Sequence, residues 1–570
     1  MSVLPALMFE PDGYVLDGPK LMGRQAAGHG FLRAAIGAVE RAAKAGQSNR
    51  LVARTANRIS AEVFVRVVRE QSPEVKPIWL PAERLSQLAE IGALYLPGPG
   101  LAEAARQRLR AGPAAWSLTG LTHTLCSHLA MDAIVDLLVA PVMPWDALVC
   151  TSTVAQQSVR KLFEMQGQYL AWRFGVRNFA VPQTPVIPLG VHAQDFAFTP
   201  ADRAAARARW QIADGEVVAL FAGRLSFHAK AHPYPMIVTL EDAAIRAGKP
   251  VRLLLCGQFQ NDSVRDAFFG AVAAYAPHVR AQWVDGKDFV AYNQAWAASD
   301  IFISLSDNVQ ETFGITPLEA MAAGLPVLVS DWDGYKDTVE EGVTGFRIPT
   351  WMPPPDNGMP LAAGLEAGTI NYDLYIGFAA LEVSVDNECL TRRLTELISD
   401  PALRARMGAA GRARVAQRFE WSVVITQYQA LWRELDRMRR DALAGGGPTL
   451  ASAPRCAPAR QDPYRVFASF PTHTIGPDTL VALSPKRGQT PFSALRADPL
   501  FNFAAEFLPP DASVDRVVEW LAAPRATVAT VAELAAGIGM PVARTIRVLA
   551  PLAKVGWVTF TGNAQERASN

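Results

Sequence analysis

Short apolar runs alternate with longer amphipathic segments over about the first 440 of the chain's 570 residues. Seven runs in the first part are typical of buried strands, namely PALMFE, RLVAR, VKPIWLP, GALYLPG, AAWSLTG, DALVCTS and TPVIPLG. Five more follow residue 198, namely EVVALFAGR, VRLLLCGQ, RAQWVDG, DIFISLSD and GLPVLVSD. Such uniformly apolar strands, separated by helices, indicate parallel sheets that are covered on both faces.

This pattern predicts an α/β fold with two doubly wound, Rossmann-like domains, over residues 1–198 and 199–440. Sheets of this kind bind ligands at the carboxyl ends of their strands, so we expect the two domains to face each other across a cleft. The last helices of the second domain can pack back on the first. Residues 441–499 begin with a stretch rich in Gly, Ala, Ser and Pro and are predicted to be a linker. Residues 500–570 read as helix, helix, turn, helix and short hairpin, which predicts a small winged-helix-like domain.

The composition of the chain argues against several classes of protein. Half of the residues are hydrophobic and the formal net charge is +1, which gives large cores and no overall attraction to nucleic acid or anionic lipid. The five cysteines are scattered, which indicates reduced thiols and neither a disulfide framework nor a zinc site. The start of the chain does not read as a secretory signal, and no run of about 18 apolar residues is present. We therefore expect a soluble cytoplasmic protein, with peripheral membrane contact left open.

Two glutamates flank a predicted turn in the stretch ETFGITPLEAMAAGLPVLVSD, residues 311–331. Thr316 suits a helix N-cap and Pro317 the first helical position, so Glu319 can complete a capping box. Capping accounts for Glu319 but leaves Glu311 unexplained. In the alternative interpretation, both carboxylates accept hydrogen bonds from a polar ligand that lies at the free amides of the helix start. The two roles can coexist.

Cationic side chains follow another predicted strand end. Arg224 and Lys230 lie just after Gly223 in LFAGRLSFHAKAHPYPM. An arginine fork and a lysine point charge could together hold a diphosphate. The simpler interpretation is that both are solvated loop cations, because most lysines and arginines are exposed.

Two further features lie at strand ends of the first domain. Gly23 belongs to the loop LDGPKLMGRQAAGHGFL, whose glycines do not form a strict G-x-G-x-x-G and give a weak dinucleotide signal. Helix packing alone could explain Gly28 and Gly30. His123 follows the AAWSLTG strand, where the cleft is expected. No pair of histidines has metal-ligand spacing with an acidic partner, so we predict no bound metal.

Taken together, these motifs resemble the retaining glycosyltransferase family 4, of GT-B architecture, over about residues 10–440. The most specific element is the E-x7-E stretch at residues 311–331, and it is supported by IPLGVHAQDF, FAGRLSFHAK, SDIFISLSD and GAAGRARVAQRFEW. The resemblance implies transfer of a sugar from a nucleoside diphosphate sugar to an acceptor hydroxyl with retention of configuration. It places the enzyme by analogy in bacterial saccharide or glycoconjugate synthesis. It implies no metal, no organic cofactor and no protein nucleophile.

The resemblance also implies roles for individual residues. Glu311 would lie near the donor sugar hydroxyls, and Glu319 would hold the ribose hydroxyls. Arg224 and Lys230 would hold the diphosphate, and His123 would line the reaction centre. The remaining positions lie on backbone segments around the sugar, the diphosphate and the acceptor: Phe313, Gly314, Ile315 and Gly23.

Other function classes remain open at this point. Nucleotide-sugar epimerases share the architecture, as do phosphorylases, although no site for their lysine-bound pyridoxal cofactor is recognisable. A sugar-sensing regulator could use the C-terminal domain to bind DNA. Residues 501–570 carry six Lys and Arg against six Asp and Glu, and this zero net charge argues against nucleic acid as a partner. The apolar residues of that domain suit a core, a dimer contact or a protein partner. The acceptor can be a lipid-linked saccharide, a polysaccharide, a small molecule or a protein.

Overall fold

The structure is a computed structural model that describes residues 4–16, 23–446, 448–485, 491–524 and 528–563. The chain divides into two compact units, Met1–Ala457 and Pro458–Asn570. The first unit contains two lobes, each built on a six-stranded parallel sheet.

The first lobe is a doubly wound sheet. Its strands are β1 (Ala6–Met8), β2 (Arg50–Thr55), β3 (Lys76–Pro81), β4 (Ala93–Tyr95), β5 (Ser117–Leu121) and β6 (Ala147–Val149). Its helices are α1 (Gly23–Lys44), α2 (Arg58–Gln71), α3 (Leu85–Ile91), α4 (Leu101–Arg108), α5 (His128–Val135) and α6 (Thr153–Phe174). The spatial order is β3-β2-β1-β4-β5-β6, with parallel pairing throughout. Winding reverses between β1 and β4, which opens a crevice at the carboxyl ends of these strands.

The second lobe repeats this order. Its strands are β7 (Val217–Ala222), β8 (Val251–Gly257), β9 (Val279–Asp285), β10 (Ile301–Ser304), β11 (Val327–Ser330) and β12 (Gly345–Ile348). Its helices are α7 (Pro200–Arg209), α8 (Pro233–Ala247), α9 (Asp262–Tyr275), α10 (Phe289–Ala298), α11 (Thr316–Ala323) and α12 (Tyr335–Thr338). The spatial order is β12-β11-β10-β7-β8-β9. Every residue of β7 and β8 is buried, which explains their mostly apolar sequences. The exception is Arg252 of β8, whose guanidinium forms an ion pair with Glu216.

The first unit ends in a mostly helical stretch. Its elements are β13 (Thr350–Trp351), α13 (Met359–Glu366), α14 (Tyr372–Leu381), β14 (Ser384–Val385), α15 (Asn387–Ser399), α16 (Pro401–Arg414) and α17 (Trp421–Gly445). The short strands β13 and β14 pair antiparallel and bracket the helices α13 and α14. Residues 351–368, although rich in proline and glycine, therefore contain a helix, α13.

One predicted strand of the first lobe does not form. The TPVIPLG segment makes only isolated bridges, from Gln183 and Val186 to the β6 edge. The physical reason is its proline content. Pro182, Pro185 and Pro188 have no backbone N–H to donate, so a continuous ladder cannot extend through them.

The last long helix, α17, connects the two lobes by packing against the first. Trp421, at the start of α17, packs its indole against Phe31 of α1, with ring centroids 6.1 Å apart. Added Cβ atoms at Gly30 and Gly190 would lie 2.6 and 2.5 Å from atoms of this indole. Further along α17, Tyr428 packs on Phe31 from the same side. The closing helix of the second lobe thus buries its aromatic face in the first lobe.

The second unit is a small α/β module. The short helix α18 (Pro448–Ala451) precedes it in the first unit. The elements of the second unit are α19 (Pro463–Val466), β15 (Thr479–Leu483), α20 (Phe492–Leu495), α21 (Asp511–Ala522), β16 (Ala529–Thr530), α22 (Val531–Gly537), α23 (Val542–Lys554) and β17 (Val558–Asn563). β15 is the central strand and pairs antiparallel with both β16 and β17.

This sheet corrects the predicted linker, 441–499. Its second half contains β15, whose Val481 is fully buried in the core of the small unit, so the module extends upstream of residue 500. The predicted terminal hairpin also changes, because β17 pairs with β15 and residues 564–570 lie outside the described residues. The assignment to winged-helix proteins stays a prediction. Across the described ranges, no helix combines the length and apolar content needed to cross a bilayer.

The fit between Gly30 and the Trp421 indole generates a stability prediction. We expect Gly30→Ala to lower the free energy of unfolding by about 1–3 kcal/mol, because its new methyl group overlaps a ring that cannot move away from Gly190. The matched control is Gly37→Ala in the same helix, where the nearest group is the mobile end of Arg41 at 3.4 Å. Alanine there should stabilise by up to about 1 kcal/mol through helix propensity. The measurement is the thermal midpoint of each variant relative to the wild type. Equal shifts for the two variants would contradict this packing.

Candidate functional site

A cavity of about 390 Å³ lies between the lobes, at the carboxyl ends of the second lobe's strands. It sits where winding reverses between β7 and β10. The structure brings all the residues predicted from the sequence to its lining: Gly23, His123, Arg224, Lys230, Glu311, Phe313, Gly314, Ile315 and Glu319. Side chains separated by up to about 300 positions in sequence therefore share one hollow.

The loop between β10 and α11 forms the wall of the second lobe. Gly314 has a φ of +76°, and a Cβ there would lie 2.1 Å from the Tyr335 ring. Tyr335 is itself fixed, because its hydroxyl is 2.8 Å from the Ser304 hydroxyl at the end of β10. Only glycine satisfies both the left-handed backbone and the close ring. This requirement explains the glycine between the two glutamates.

The predicted capping box at the start of α11 is not formed. The helix begins at Thr316, so the N-cap is Ile315 and no side chain caps it. Glu319 is therefore the fourth helical residue, one position too far along to reach back to the cap amide. The Thr316 hydroxyl is buried and finds no hydrogen-bond partner among the described residues. Capping thus does not explain Glu319, and its carboxylate is directed into the cavity.

Glu319 has a polar partner on a neighbouring helix. The Tyr292 hydroxyl of α10 donates to Glu319 Oε2 at 3.3 Å. Burial raises the pKa of the Glu319 carboxyl to about 7, and the Tyr292 hydrogen bond opposes this only in part. The lining of the cavity therefore includes a carboxyl group that is near its titration point at neutral pH and has acceptor capacity to spare.

Lys230 and Glu311 form a largely buried ion pair on the same wall. The Lys230 ammonium donates to Glu311 Oε2, and the exposed fractions of the two side chains are 14% and 17%. Burial raises the pKa of Glu311, but the Lys230 charge and the amides of Phe313 and Thr312 outweigh it and hold this pKa below its usual value. Burial likewise lowers the pKa of Lys230, and the Glu311 charge more than reverses that effect. Both groups are therefore charged.

Arg224 is the second cation that the second lobe contributes to the lining. Its guanidinium donates to the Ala229 carbonyl at 3.0 Å and to the Gln310 side-chain oxygen at 2.5 Å. Gln310 in turn donates to the Tyr372 hydroxyl of α14 at 2.8 Å. The same hydroxyl lies 3.3 Å from the Cys126 sulfur of the first lobe. A chain of hydrogen bonds therefore connects the arginine with the opposite wall of the cleft.

Two strand-end glycines form the floor beside these cations. Gly223 after β7 and Gly257 at the end of β8 have φ values of +144° and +152°. A Cβ at Gly257 would lie 1.8 Å from the Gly223 carbonyl oxygen. Such close approach of two backbones leaves peptide groups, not side chains, at the bottom of the cavity.

The first lobe contributes the facing wall. His123 Nε2 lies 2.9 Å from the Pro97 carbonyl oxygen, which can only accept, so this nitrogen carries the hydrogen. Burial lowers the pKa of His123, so the ring is neutral and its Nδ1 is an acceptor. Gly23 is the first residue of α1, and an added Cβ there would meet open space. The preceding loop residues 17–22 lie outside the described residues, so their predicted contact with phosphate stays a prediction.

Sequence reasoning missed several residues of the lining. Gln310, Tyr292 and Gly257 were not singled out, although a glycine directly after the VRLLLC strand is a usable signal. Tyr372 also escaped notice, since nothing local marks a tyrosine in an inserted helix. Within the described ranges, no three His, Cys, Asp or Glu side chains are grouped as a metal site. Independence from metal stays a prediction.

The raised pKa of Glu319 generates a pH prediction. Because the folded-state pKa is about 7, above the ordinary value of 4.5, the wild-type protein loses stability as the pH rises through this interval. Glu319→Gln cannot ionise and should avoid this loss. Since the carboxylate faces the open cavity, we expect an advantage of only about 1 kcal/mol for the variant at pH 8, and none below pH 4.5. Burial also raises the pKa of Asp307 to about 7. Because Asp307 is present in both proteins, its contribution to the pH dependence drops out of the difference between them.

Thermal midpoints of both proteins across this pH range provide the measurement. A stability difference that is constant with pH would contradict the raised pKa of Glu319.

Comparison with known proteins bears on the second lobe. The family model Glycosyl transferases group 1 matches residues 202–352, which contain most of the cavity lining. An alpha-maltose-1-phosphate synthase of Mycobacterium tuberculosis is 27% identical over 221 residues, which is 38% of this chain and 48% of that protein. A phosphatidyl-myo-inositol mannosyltransferase of the same organism is 30% identical over 249 residues, 43% of this chain and 53% of that protein. The chain spans about half the length of the curated relatives it matches.

Solved structures with similarity to the chain include Anabaena HepE in complex with UDP, at 17% identity and a TM-score of 0.46 over 78% of this chain and 100% of that one. Sucrose-phosphate synthase from Thermosynechococcus elongatus has 18% identity and a TM-score of 0.45 over 76% of this chain and 99% of that one. Residues 202–352 thus match the model of the glycosyl transferases of group 1, and the two doubly wound lobes that line the cavity confirm the predicted two-lobed, Rossmann-like α/β fold.

Proposed function

We propose that the protein transfers a sugar from a nucleoside diphosphate sugar to an acceptor hydroxyl, with retention of anomeric configuration and without a metal ion. The observation that carries this proposal is the composition of one cavity wall. Two cations, Arg224 and Lys230, and two carboxylates, Glu311 and Glu319, line the same hollow at the strand ends. A nucleoside diphosphate sugar is a ligand that offers both a diphosphate for the cations and hydroxyls for the carboxylates.

The cations suit the leaving diphosphate. Departure of the nucleoside diphosphate places negative charge on its phosphate oxygens, and positioned cations stabilise that charge as it develops. The Arg224 guanidinium is held in place by Ala229 and Gln310. Within the described part of the chain, the amides of Gly314 and Ile315 donate to no protein acceptor and can serve the donor directly.

The carboxylates suit the two sugars of the donor. Glu319 has acceptor capacity beyond its bond from Tyr292 and is proposed to accept from the ribose hydroxyls. Glu311 is already ionised through Lys230 and is proposed to accept from hydroxyls of the transferred sugar. Because both side chains are held by neighbours before the ligand arrives, little ordering is needed on binding.

The reaction requires no protein nucleophile. As the bond between the anomeric carbon and the phosphate oxygen breaks, the acceptor hydroxyl attacks that carbon from the same face and gives its proton to the leaving phosphate. The products are the glycosylated acceptor and the nucleoside diphosphate. His123 is proposed to orient a sugar hydroxyl through the free Nδ1 of its neutral ring. Closure of the two lobes on the bound donor is proposed to exclude water, which would otherwise hydrolyse the donor.

An epimerase of the same architecture differs in what it releases. It converts the nucleotide sugar without an acceptor, whereas a transferase releases nucleoside diphosphate in step with glycosylation of an acceptor, apart from slow hydrolysis. Rapid acceptor-independent turnover would therefore favour the epimerase.

A panel of nucleoside diphosphates tests the binding site. We expect one of the uridine, guanosine and adenosine diphosphates to raise the thermal midpoint, because a ligand that binds only the folded state stabilises it by mass action. Arg224→Ala should weaken the affinity for that nucleotide about tenfold to hundredfold, the usual effect of losing a hydrogen bond to a charged group. Arg246→Ala, an exposed cation of α8, is the matched control and should bind as the wild type does.

Isothermal titration of the three proteins at one salt concentration supplies the dissociation constants. The site is misplaced if Arg224→Ala binds the nucleotide as tightly as the control does.

A further inference from the structure

The second half of α6 carries large apolar side chains in water. Met165, Tyr169 and Trp172 are exposed to 56%, 52% and 77%. They are spaced four and three residues apart, so they form one line along the helix. We call these three residues the α6 stripe. The opposite side of the helix is anchored, because Leu170 is buried.

The chain after α6 enlarges this apolar surface. Phe174 is exposed to 64%, and Val176 and Val181 are also exposed. The segment folds back along the helix, because the Phe179 ring lies 3.6 Å from the Cβ position of Gly167. The stripe and the following segment therefore form one protrusion of the first lobe.

The same protrusion is cationic. Residues 160–181 contain four basic residues (Arg160, Lys161, Arg173 and Arg177) and one acidic residue (Glu164), a net charge of 4 − 1 = +3. The whole chain carries +1, so the remaining residues sum to 1 − 3 = −2. The Arg173 guanidinium lies 5.1 Å from the centre of the Phe174 ring, which places charge and apolar surface side by side.

We propose that the α6 stripe and the segment that follows it dock the protein on an anionic lipid surface. Tryptophan and tyrosine suit the boundary between headgroups and acyl chains, because each has an apolar body and a polar tip. Flanking arginines and lysine are attracted to anionic headgroups. A second copy of this chain is a poorer occupant, since two protrusions of charge +3 would repel each other.

The docking surface is separate from the candidate active site but lies on the same helix. Ser152 caps the other end of α6 and donates to the Thr312 carbonyl in the cavity wall at 2.8 Å. With a rise of 1.5 Å per residue, Trp172 lies about 30 Å along the helix from Ser152. A lipid surface bound at the stripe therefore leaves the cleft unobstructed.

Vesicle co-sedimentation of the 570-residue chain tests this proposal. We expect binding to vesicles in which about one-third of the phosphatidylcholine is replaced by phosphatidylglycerol, and little binding to phosphatidylcholine alone. Tyr169→Ser with Trp172→Ser should weaken binding to the anionic vesicles about tenfold or more. The double variant Arg173→Gln with Arg177→Gln should also weaken binding to the anionic vesicles about tenfold or more. The binding that remains should depend little on salt concentration.

Two variants distant in sequence serve as matched controls. Trp351→Ser removes another exposed tryptophan, 58% exposed, from β13, and Arg246→Gln removes an exposed cation from α8. Both should bind the anionic vesicles as the wild type does, and all variants should keep the wild-type circular dichroism spectrum. The proposal is overturned if the wild type does not bind anionic vesicles, or if stripe and control variants bind equally. A dimer that the stripe variants abolish, without vesicle binding, would also overturn it.

Discussion

The ion pair between Lys230 and Glu311 is the interaction around which the cavity is organised. The two side chains come from loops that are 81 residues apart in sequence, one after β7 and one after β10. These loops meet only because the strand order reverses between β7 and β10. A single charge in this half-enclosed position would be costly, so each group requires the other. The pair is therefore both a product of the fold and a reason that the two loops keep their positions.

The backbone around the pair is equally constrained. Gly314 turns the loop through a left-handed conformation against the Tyr335 ring, and Gly223 and Gly257 bring two strand ends into contact. Together these glycines expose peptide groups to the cavity where side chains would otherwise fill it. The charged side chains can bind phosphate and hydroxyl groups. The glycine backbone, which has no side chains, allows the ligand to approach closely. Capping, the simpler account of Glu319, fails because the helix begins one residue earlier than a capping box would require.

Much of this architecture could be predicted because the signals are local. A fully buried parallel strand such as β7 must be a continuous apolar run, and a doubly wound sheet binds its ligands at strand ends. That rule alone places Arg224, Lys230 and Glu311 near one another. Features that depend on neighbours distant in sequence could not be predicted. Tyr372 reaches the cleft from an inserted helix.

The other incorrect sequence predictions also have physical causes. β15 is a short strand whose partners lie about 50 and 80 residues downstream, so its surroundings in the sequence resemble a linker. The TPVIPLG segment has the apolar character of a strand, but its prolines remove the donors that a ladder needs. The helix start at Thr316 depends on one residue of register, which composition and spacing do not fix.

A double-mutant cycle on Lys230 and Glu311 tests the central claim most directly. Lys230→Met and Glu311→Gln remove one charge each at similar size, and urea unfolding of the first unit gives the free energies. The buried-pair account predicts that each single substitution costs about 3–5 kcal/mol, because it leaves a partner uncompensated. The loss of unfolding free energy in the double variant should then be smaller than the sum of the two single losses, by at least about 2 kcal/mol. Costs that simply add would show that the two charges do not depend on each other, and would contradict the account.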